Sequence, residues 1–376
     1  MTTTESLRFP YMVWAHTESF LSPYCLSQSG MPAPDGTLLG QAPPIDLSPP
    51  TAEALPALNA RLGELFGVET ERLLVTAGAS AAMLTLAQRF FRPGSRVVTE
   101  LPSYEPFRAL PELHGAELRI VQRRVEDQFR LPIDQIEAAL EDCSPDRPGH
   151  IFISNPHNPT GQSLEREELI RLAGIAERAG GLLISNEIYM EFAPTDERVH
   201  AFDLAPNAIS IGGLTKAYGL GALRIGWLIL GTGPAAEHRH LTDHTYLNYV
   251  DLPTATLRLA VQALAHLEEL LQPVRQFETH CRPHLLRWLK DTPGVTCPPP
   301  RYGLAAFPHL DGISDTRELS RYLSREVSVD VVPGEAFGMS GHIRLGFGVP
   351  EETLVEGLKR LTGGIEAFRS GAAGPS

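Results

Sequence analysis

Between residues 73 and 230 the chain carries short apolar runs rich in β-branched residues: Leu73 to Thr76, Arg96 to Glu100, Leu118 to Val121, His150 to Ser154, Gly181 to Ser185, Ala208 to Gly212 and Ile225 to Leu230. Stretches with helical periodicity, such as Ala79 to Phe91 and Glu165 to Ala179, lie between them, so strands and amphipathic helices are predicted to alternate. Runs of this kind are covered on both faces, which predicts an α/β fold: a mostly parallel seven-stranded sheet flanked by helices. A helical pattern then extends from about Pro253 to Lys290, with a break expected near Pro273. After Pro298-Pro299-Pro300 comes a smaller α+β region, with strands expected near Ala305 and over Val327 to Val332. The expected division is an N-terminal arm over 1–45 that joins the smaller unit, a large domain over 46–255, and a small C-terminal domain with a long linker helix over 256–376. No internal repeat is visible.

Composition narrows the class. A chain of 376 residues, 43% hydrophobic and 20% charged, suits a soluble globular enzyme with a large core. Its formal net charge of −13 argues against nucleic acid or an anionic membrane as partner. Cys25, Cys143, Cys281 and Cys297 stand far apart with no C-x-x-C step, so neither a metal site nor a disulfide framework is expected. Met1 to Ser6 lacks the basic-then-apolar order of a signal peptide, which leads to the expectation of a cytoplasmic protein. The tail from Gly371 to Ser376 is expected to fray.

In a parallel sheet, ligands bind beyond the carboxyl ends of the strands, so chemistry is sought in the loops that follow them. Gly78-Ala79-Ser80 opens a helix and offers backbone N–H groups and a hydroxyl to a phosphate. Pro102-Ser103-Tyr104 brings a ring that can stack on a flat heterocycle. Asn155-Pro156-His157-Asn158-Pro159-Thr160-Gly161 makes a rigid turn that fixes the aim of an Asn amide. Asn186-Glu187-Ile188-Tyr189 follows the next strand. The Gly-rich stretch from Gly213 to Trp227 then holds Lys216 without nearby carboxylates, and Arg224 a short loop away. An amine in an apolar site is a usable nucleophile, and a guanidinium fork suits a phosphate. Together they fit a phosphorylated aldehyde held as a Schiff base, which is pyridoxal 5'-phosphate (PLP). The plainer alternative is a surface loop with two ordinary basic residues.

Taken in order, the Asn155 to Gly161 turn, the Ile188-Tyr189 step, Thr215-Lys216 to Arg224, and Ile343-Arg344-Leu345 resemble the class I/II aminotransferases, fold-type I PLP enzymes, over roughly residues 25–360. The resemblance implies that Lys216 carries PLP and shuttles the substrate proton. It implies that Arg224, Thr215, Gly78, Ala79 and Ser80 hold the phosphate, and that Tyr104 stacks on the ring. By the same resemblance Asn158 and Tyr189 hydrogen-bond the ring's phenolic oxygen. Arg344 pairs with the substrate α-carboxylate, with backbone help near Ser29-Gly30. A homodimer acting on an L-α-amino acid, with a keto acid as acceptor, is also implied.

Departures from the family pattern bear on the chemistry. Asn186 stands where the family has an Asp that keeps the pyridine nitrogen protonated; its amide can donate a hydrogen bond but supplies no charge. Gly213 stands where the family often has a phosphate-binding Ser. Ser48-Pro49-Pro50-Thr51 lacks the Tyr that commonly reaches the partner's phosphate. Transamination is the simplest expectation; elimination, replacement or cyclisation at the β or γ carbon is the alternative. Gly231-Thr232-Gly233-Pro234-Ala235-Ala236 resembles a dinucleotide fingerprint, but it lies late in the chain, and Pro234 removes an N–H donor. A DNA-binding PLP sensor is disfavoured by length and charge. Tyr11, Trp14, Tyr302 and Phe337 are candidate pocket aromatics.

Overall fold

The structure is a computed structural model that describes residues 9–17, 22–35 and 53–371; Met1 to Ser6, Ser48 to Thr51 and the tail beyond Gly371 lie outside the described residues. Its strands are β1 (Tyr24–Cys25), β2 (Leu73–Thr76), β3 (Arg96–Leu101), β4 (Glu117–Gln122), β5 (Gly149–Ser154), β6 (Leu183–Asn186), β7 (Ala208–Gly213) and β8 (Gly226–Leu230). After these come β9 (Val295–Thr296), β10 (Ala305–Ala306), β11 (His309–Leu310), β12 (Val329–Asp330), β13 (Val332–Pro333) and β14 (Ile343–Gly346). The helices that matter below are α1 (Pro10–Thr17), α2 (Ala54–Phe66), α3 (Ala79–Phe90), α4 (Pro106–Leu113), α5 (Ile133–Leu140), α6 (Arg166–Arg178) and α7 (Ala201–Leu204).

Strands β2 to β8 form one seven-stranded sheet in the order β2-β8-β7-β6-β5-β3-β4. Only β8 runs against its neighbours; β3 to β7 pair in parallel. Residues of β2, β5, β6, β7 and β8 are buried throughout, as strands packed on both faces must be. Successive side chains feed different cores: Val97, Phe152 and Ile184 join the cluster with Met83 and Leu86 of α3. Val98, Ile151, Ile153 and Leu183 join the cluster with α5 and α6. The chain steps outward from β3 to β4, then returns to β5 on the other side of β3. That reversal opens a crevice at the carboxyl ends of β3 and β5.

The strand expectations hold with small shifts; β6 begins at Leu183 rather than Gly181, where a Cβ would lie 2.1 Å from Gly149 O. The break expected near Pro273 does not occur. Three further helices, α8 (His238–Tyr249), α9 (Thr254–Ala265) and α10 (Leu267–His280), are followed by α11 (Arg282–Asp291), and Pro273 lies inside α10. The boundaries fall at His266 and Cys281, the latter where Pro283 occupies the first turn of α11, a position that needs no N–H. The strand expected over Val327 to Val332 starts only at Val329, since Leu323–Val327 still belongs to the turn that follows α12 (Thr316–Tyr322). A last helix, α13 (Glu351–Arg369), closes the described chain.

The smaller sheet, β10-β14-β13, is antiparallel and centres on β14, where Arg344 stands opposite Val332. The segment after β1 ties this sheet to the larger one: Gly346 N donates to Leu26 O at 2.7 Å and Met31 N donates to Lys216 O at 2.8 Å.

Candidate active site

The loops after β2, β3, β5, β6 and β7 all open on one edge of the sheet. At the β2 end, Gly78 adopts φ +83° and starts α3, which no side chain caps. The first N–H groups of the helix therefore point outward with the positive end of its dipole. Arg224 has a left-handed backbone, φ +54°, that turns its guanidinium back over this turn. A Cβ on Gly78 would meet Arg224 Nη2 at 2.5 Å, so the glycine is what admits the Arg. Arg224 donates one long hydrogen bond, to Ala77 O at 3.5 Å, and forms no ion pair among the described residues. Gly213 has a reason of its own: a Cβ there would lie 3.1 Å from Ile225 O and 3.3 Å from Gly226 Cα. Close strand packing thus stands where a Ser hydroxyl was expected.

The rigid turn is braced from below. His157 is buried and held neutral, its pKa driven well below the usual value by burial and by the Arg123 charge. Its Nε2–H donates to Pro102 O at 2.9 Å and its Nδ1 accepts from Thr160 Oγ1 at 2.7 Å. Glu100, paired with Arg123 at 2.6 Å, accepts from Ser154 N at 3.0 Å. These buried contacts link the loops after β3 and β5 and fix Asn158, whose Oδ1 accepts from Arg344 Nη1 at 3.2 Å. Tyr104 presents its ring beside them, edge to face with Tyr11 at 5.3 Å. Burial pushes its phenol up to about 12.

Asn186 ends β6. Its Oδ1 accepts from Ile188 N at 3.2 Å, and its Nδ2 faces Met83 Sδ at 3.5 Å. With the oxygen taken by backbone and a thioether as weak acceptor, the amide N–H remains a donor for a ligand atom. Glu187 does not supply the missing charge. It turns to the other face of the strand and accepts from His200 Nδ1 at 2.7 Å, Ala201 N at 2.8 Å and Ser210 Oγ at 2.9 Å.

Lys216 lies in the loop after β7. Lys216, Lys290 and Lys359 are the only lysines of the sequence, and the other two are exposed on α11 and α13. Lys216 forms no ion pair among the described residues; its Nζ lies 3.1 Å from Ser29 Oγ and 5.6 Å from the centre of the Tyr189 ring. A cavity of about 170 Å³ opens here, lined by Ser29, Gly30, Thr215, Lys216 and Arg344, with Tyr11 and Trp14 from α1 above them. Arg344 is buried, donates from Nη2 to Ser27 O at 2.8 Å and packs 5.1 Å from the Phe337 ring centre. Its Nε has no partner. A buried guanidinium with a free donor calls for an anion. Tyr302 lies outside this cavity, in a second one beside Tyr189 and Asn158, and hydrogen-bonds Glu197.

The residues expected to hold the cofactor and the substrate therefore gather on one edge; of the candidate aromatics Tyr11 and Trp14 line the cavity, whereas Tyr302 does not. The side chains missed by sequence are Ser29, which touches both Lys216 and Tyr189, and Met83 behind Asn186. Ser29 sits beside Gly30, the only signal that could have drawn attention to it. The Gly231 to Ala236 stretch lies at the opposite edge, where Gly231 is needed because a Cβ would meet Pro206 O at 2.3 Å. That glycine serves backbone packing. Among the described residues no group of side chains could hold a metal, and no helix is long and apolar enough to cross a membrane. All four cysteines are free thiols.

The residues fit PLP on these observations: an uncapped helix start under an unpaired Arg, a buried unpaired guanidinium nitrogen, and a lysine between them. Comparison with known proteins agrees. The family "Aminotransferase class I and II" matches residues 40–361. A capreomycidine synthase of Streptomyces vinaceus is 29% identical over 295 residues, 77% of this chain and 73% of that protein. An arginine–pyruvate transaminase of Pseudomonas aeruginosa is 30% identical over 302 residues, 78% of this chain and 75% of that one. The crystal structure of a PLP-dependent aminotransferase from Streptococcus suis superposes with a TM-score of 0.86 at 25% identity, covering 97% of this chain and 99% of the other. The chain belongs to the class I and II aminotransferase family and is a PLP-dependent transferase of the type I fold.

Proposed function

We propose that this protein moves the amino group of an L-α-amino acid to a keto acid, with Lys216 as the lysine that carries PLP. The observation that carries the reading is the pairing of Lys216, free of carboxylate contacts, with Arg344 and its unpaired buried Nε across one cavity. PLP supplies an aldehyde that takes up amines and a ring that accepts electrons. Gly78, Ala79, Ser80, Thr215 and Arg224 would hold its phosphate, Tyr104 would cover its ring, and Asn158 and Tyr189 would bind its phenolic oxygen. Asn186 would donate to the ring nitrogen through Nδ2. Arg344 orients the amino acid by its α-carboxylate, helped by the backbone at Gly30, and the Lys216 amine takes the substrate proton and returns it. Tyr11 and Trp14 shield the cavity from water. The reading includes a homodimer in the cytoplasm, in keeping with a family whose members share residues across the interface.

A second reading, elimination, replacement or cyclisation at the β or γ carbon, is supported by Asn186, which leaves the ring a weaker electron acceptor than an Asp would. One relative is likewise named a synthase rather than an aminotransferase. Borohydride reduction of the yellow holoenzyme followed by peptide mapping tests what both readings share. PLP should be found on Lys216; label on Lys290 or Lys359, or none after PLP is added, overturns it.

A further inference from the structure

Helix α1 meets a carboxylate 93 positions further along the chain: Met12 N donates to Glu105 Oε2 at 3.3 Å. Glu105 is itself held in place. Ser103 N donates to Phe337 O at 3.1 Å, and the Glu105 carbonyl accepts from Arg108 N and Ala109 N, both at 3.1 Å, where α4 begins. The carboxylate does not cap α4, whose first residue, Pro106, has no N–H to offer. It turns to α1 instead, and Glu105 is only 4% exposed. The first N–H groups of a helix have no partner within it, and the positive end of its dipole favours a carboxylate there. Burial raises the Glu105 pKa; the N–H groups of Met12 and Tyr11 and the Arg108 charge act against this without cancelling it.

The helix needs such a hold. None of its residues is buried and Val13 stands 58% exposed, so α1 brings no core of its own. What it presents to the cavity is a pair of rings. Tyr11 meets Tyr104 edge to face at 5.3 Å, lies 5.6 Å from Phe337, and has its ring centre 6.0 Å from the Arg344 guanidinium carbon. Trp14 follows one turn later, and both line the cavity that Lys216 and Arg344 share. Besides these rings, the tie to the loop after β3 consists of the Glu105 contact and a hydrogen bond from Tyr104 Oη to the weak acceptor Met12 Sδ, at 3.3 Å. Positions i and i+3 lie on one helix face, so both rings move together if the helix start is released. An amino acid whose α-carboxylate rests on Arg344 then loses a wall of its pocket. Lys216, Arg224 and Asn186 belong to other segments and keep their places.

We propose that Glu105 is a positioning residue for amino acid binding: its carboxylate holds the start of α1 and so seats Tyr11 and Trp14 as one wall of the substrate pocket. The inference rests on the reading of Lys216 and Arg344 as the amine-transfer site. Its first test needs no substrate. Trp227 and Trp288 are buried and Trp14, the third tryptophan, is half-buried, so acrylamide quenching of the holoenzyme's fluorescence reports chiefly on α1. Glu105→Ala should raise the quenching constant, and the rise should vanish when Trp14→Phe removes the reporter. Glu105→Gln keeps an oxygen that accepts from Met12 N but not the charge, so it should fall between, and it carries the same tests if Glu105→Ala does not fold. With the standard L-amino acid that bleaches the wild-type band fastest, Glu105→Ala should raise the concentration for half-maximal single-turnover rate about 10-fold, as loss of one charged hydrogen bond would. The maximal rate should change less than about threefold, with the resting spectrum and PLP retention unaltered. Trp14→Ala alone should have a similar effect, and the Glu105→Ala/Trp14→Ala double variant should exceed the worse single one by less than about twofold, as expected of groups acting through one element. Unchanged quenching in Glu105→Ala overturns the proposal, as does an unchanged half-maximal concentration or full additivity with Trp14→Ala. Loss of PLP from Glu105→Ala also overturns it, since Glu105 would then support the Tyr104 loop. Borohydride mapping separates the two layers. Label on Lys216 with any of those results defeats the role of Glu105 alone, whereas wild type that carries no label there, or that no amino acid bleaches, defeats the reading beneath it.

Discussion

The anion-binding ends of the site and its centre lie on one edge of the same sheet, yet they are charged differently. At one end the unpaired guanidinium of Arg224 hangs over the uncapped start of α3. At the other, buried Arg344 keeps a donor free. Between them Asn186 contributes a neutral amide, and the nearest carboxylate in sequence, Glu187, is consumed on the opposite face of β6. The contrast separates binding from activation. Fixed positive charge is kept for groups that are anionic throughout, whereas the charge that would tune the ring's electron demand is absent. A family fold can thus be retained whole while one side chain of the site, Asn186, differs in charge from the Asp of the family pattern.

The largest way to break this contrast is Arg344→Ala. Removing one partner of a buried charge pair costs about 2–5 kcal/mol. Amino acid binding should fall accordingly while the visible spectrum of the resting holoenzyme stays the same. Equal loss of PLP and of amino acid binding, measured by spectral titration, would make Arg344 a structural residue. Arg224→Ala should do the converse. Losing a charged hydrogen bond to phosphate costs about 1.5–3 kcal/mol, roughly 10- to 100-fold in PLP retention on dialysis, with little effect on amino acid affinity once PLP is resupplied.

The smallest effect concerns the other face of β6. Burial lowers the His200 pKa, but its hydrogen bond to Glu187 and the charges of Glu187 and Glu191 outweigh this and raise it above 6.5. Its stabilising contribution is therefore complete below about pH 6.5 and is lost as pH rises through the raised folded value. His200→Gln should lower Tm at pH 6 by an amount worth about 1 kcal/mol, less at pH 9, and should leave the holoenzyme spectrum unchanged. A spectrum that moved with His200 would mean that Glu187 reaches the ring nitrogen after all.

Much of this was legible in the sequence. Buried β-branched runs gave the strands nearly to the residue, because both faces are packed and no solvent side blurs the pattern. Pro273 misled, because a lone proline inside a helix is tolerated where neighbouring packing holds it; Leu270, Leu271 and Val274 are all buried around it. The chemistry-bearing loops were visible because each sits directly after a strand. Ser29 was not. Its contacts with Lys216 and Tyr189 span 187 and 160 positions, and no local pattern encodes them. Glu187 could not be assigned either, since a residue just past a strand end can face either side until the strand's register is known.

The central claim is that the ring nitrogen meets a neutral donor. It is tested most directly by the nitrogen-15 chemical shift of labelled PLP in the wild-type holoenzyme and in Asn186→Asp, a change of charge at nearly constant volume. The account predicts an unprotonated ring nitrogen at neutral pH in wild type and a protonated one in the variant, with faster removal of the substrate α-proton in single turnover. A protonated nitrogen with Asn186 in place would contradict it, and would make this an ordinary aminotransferase in which another group does the work of the family's Asp.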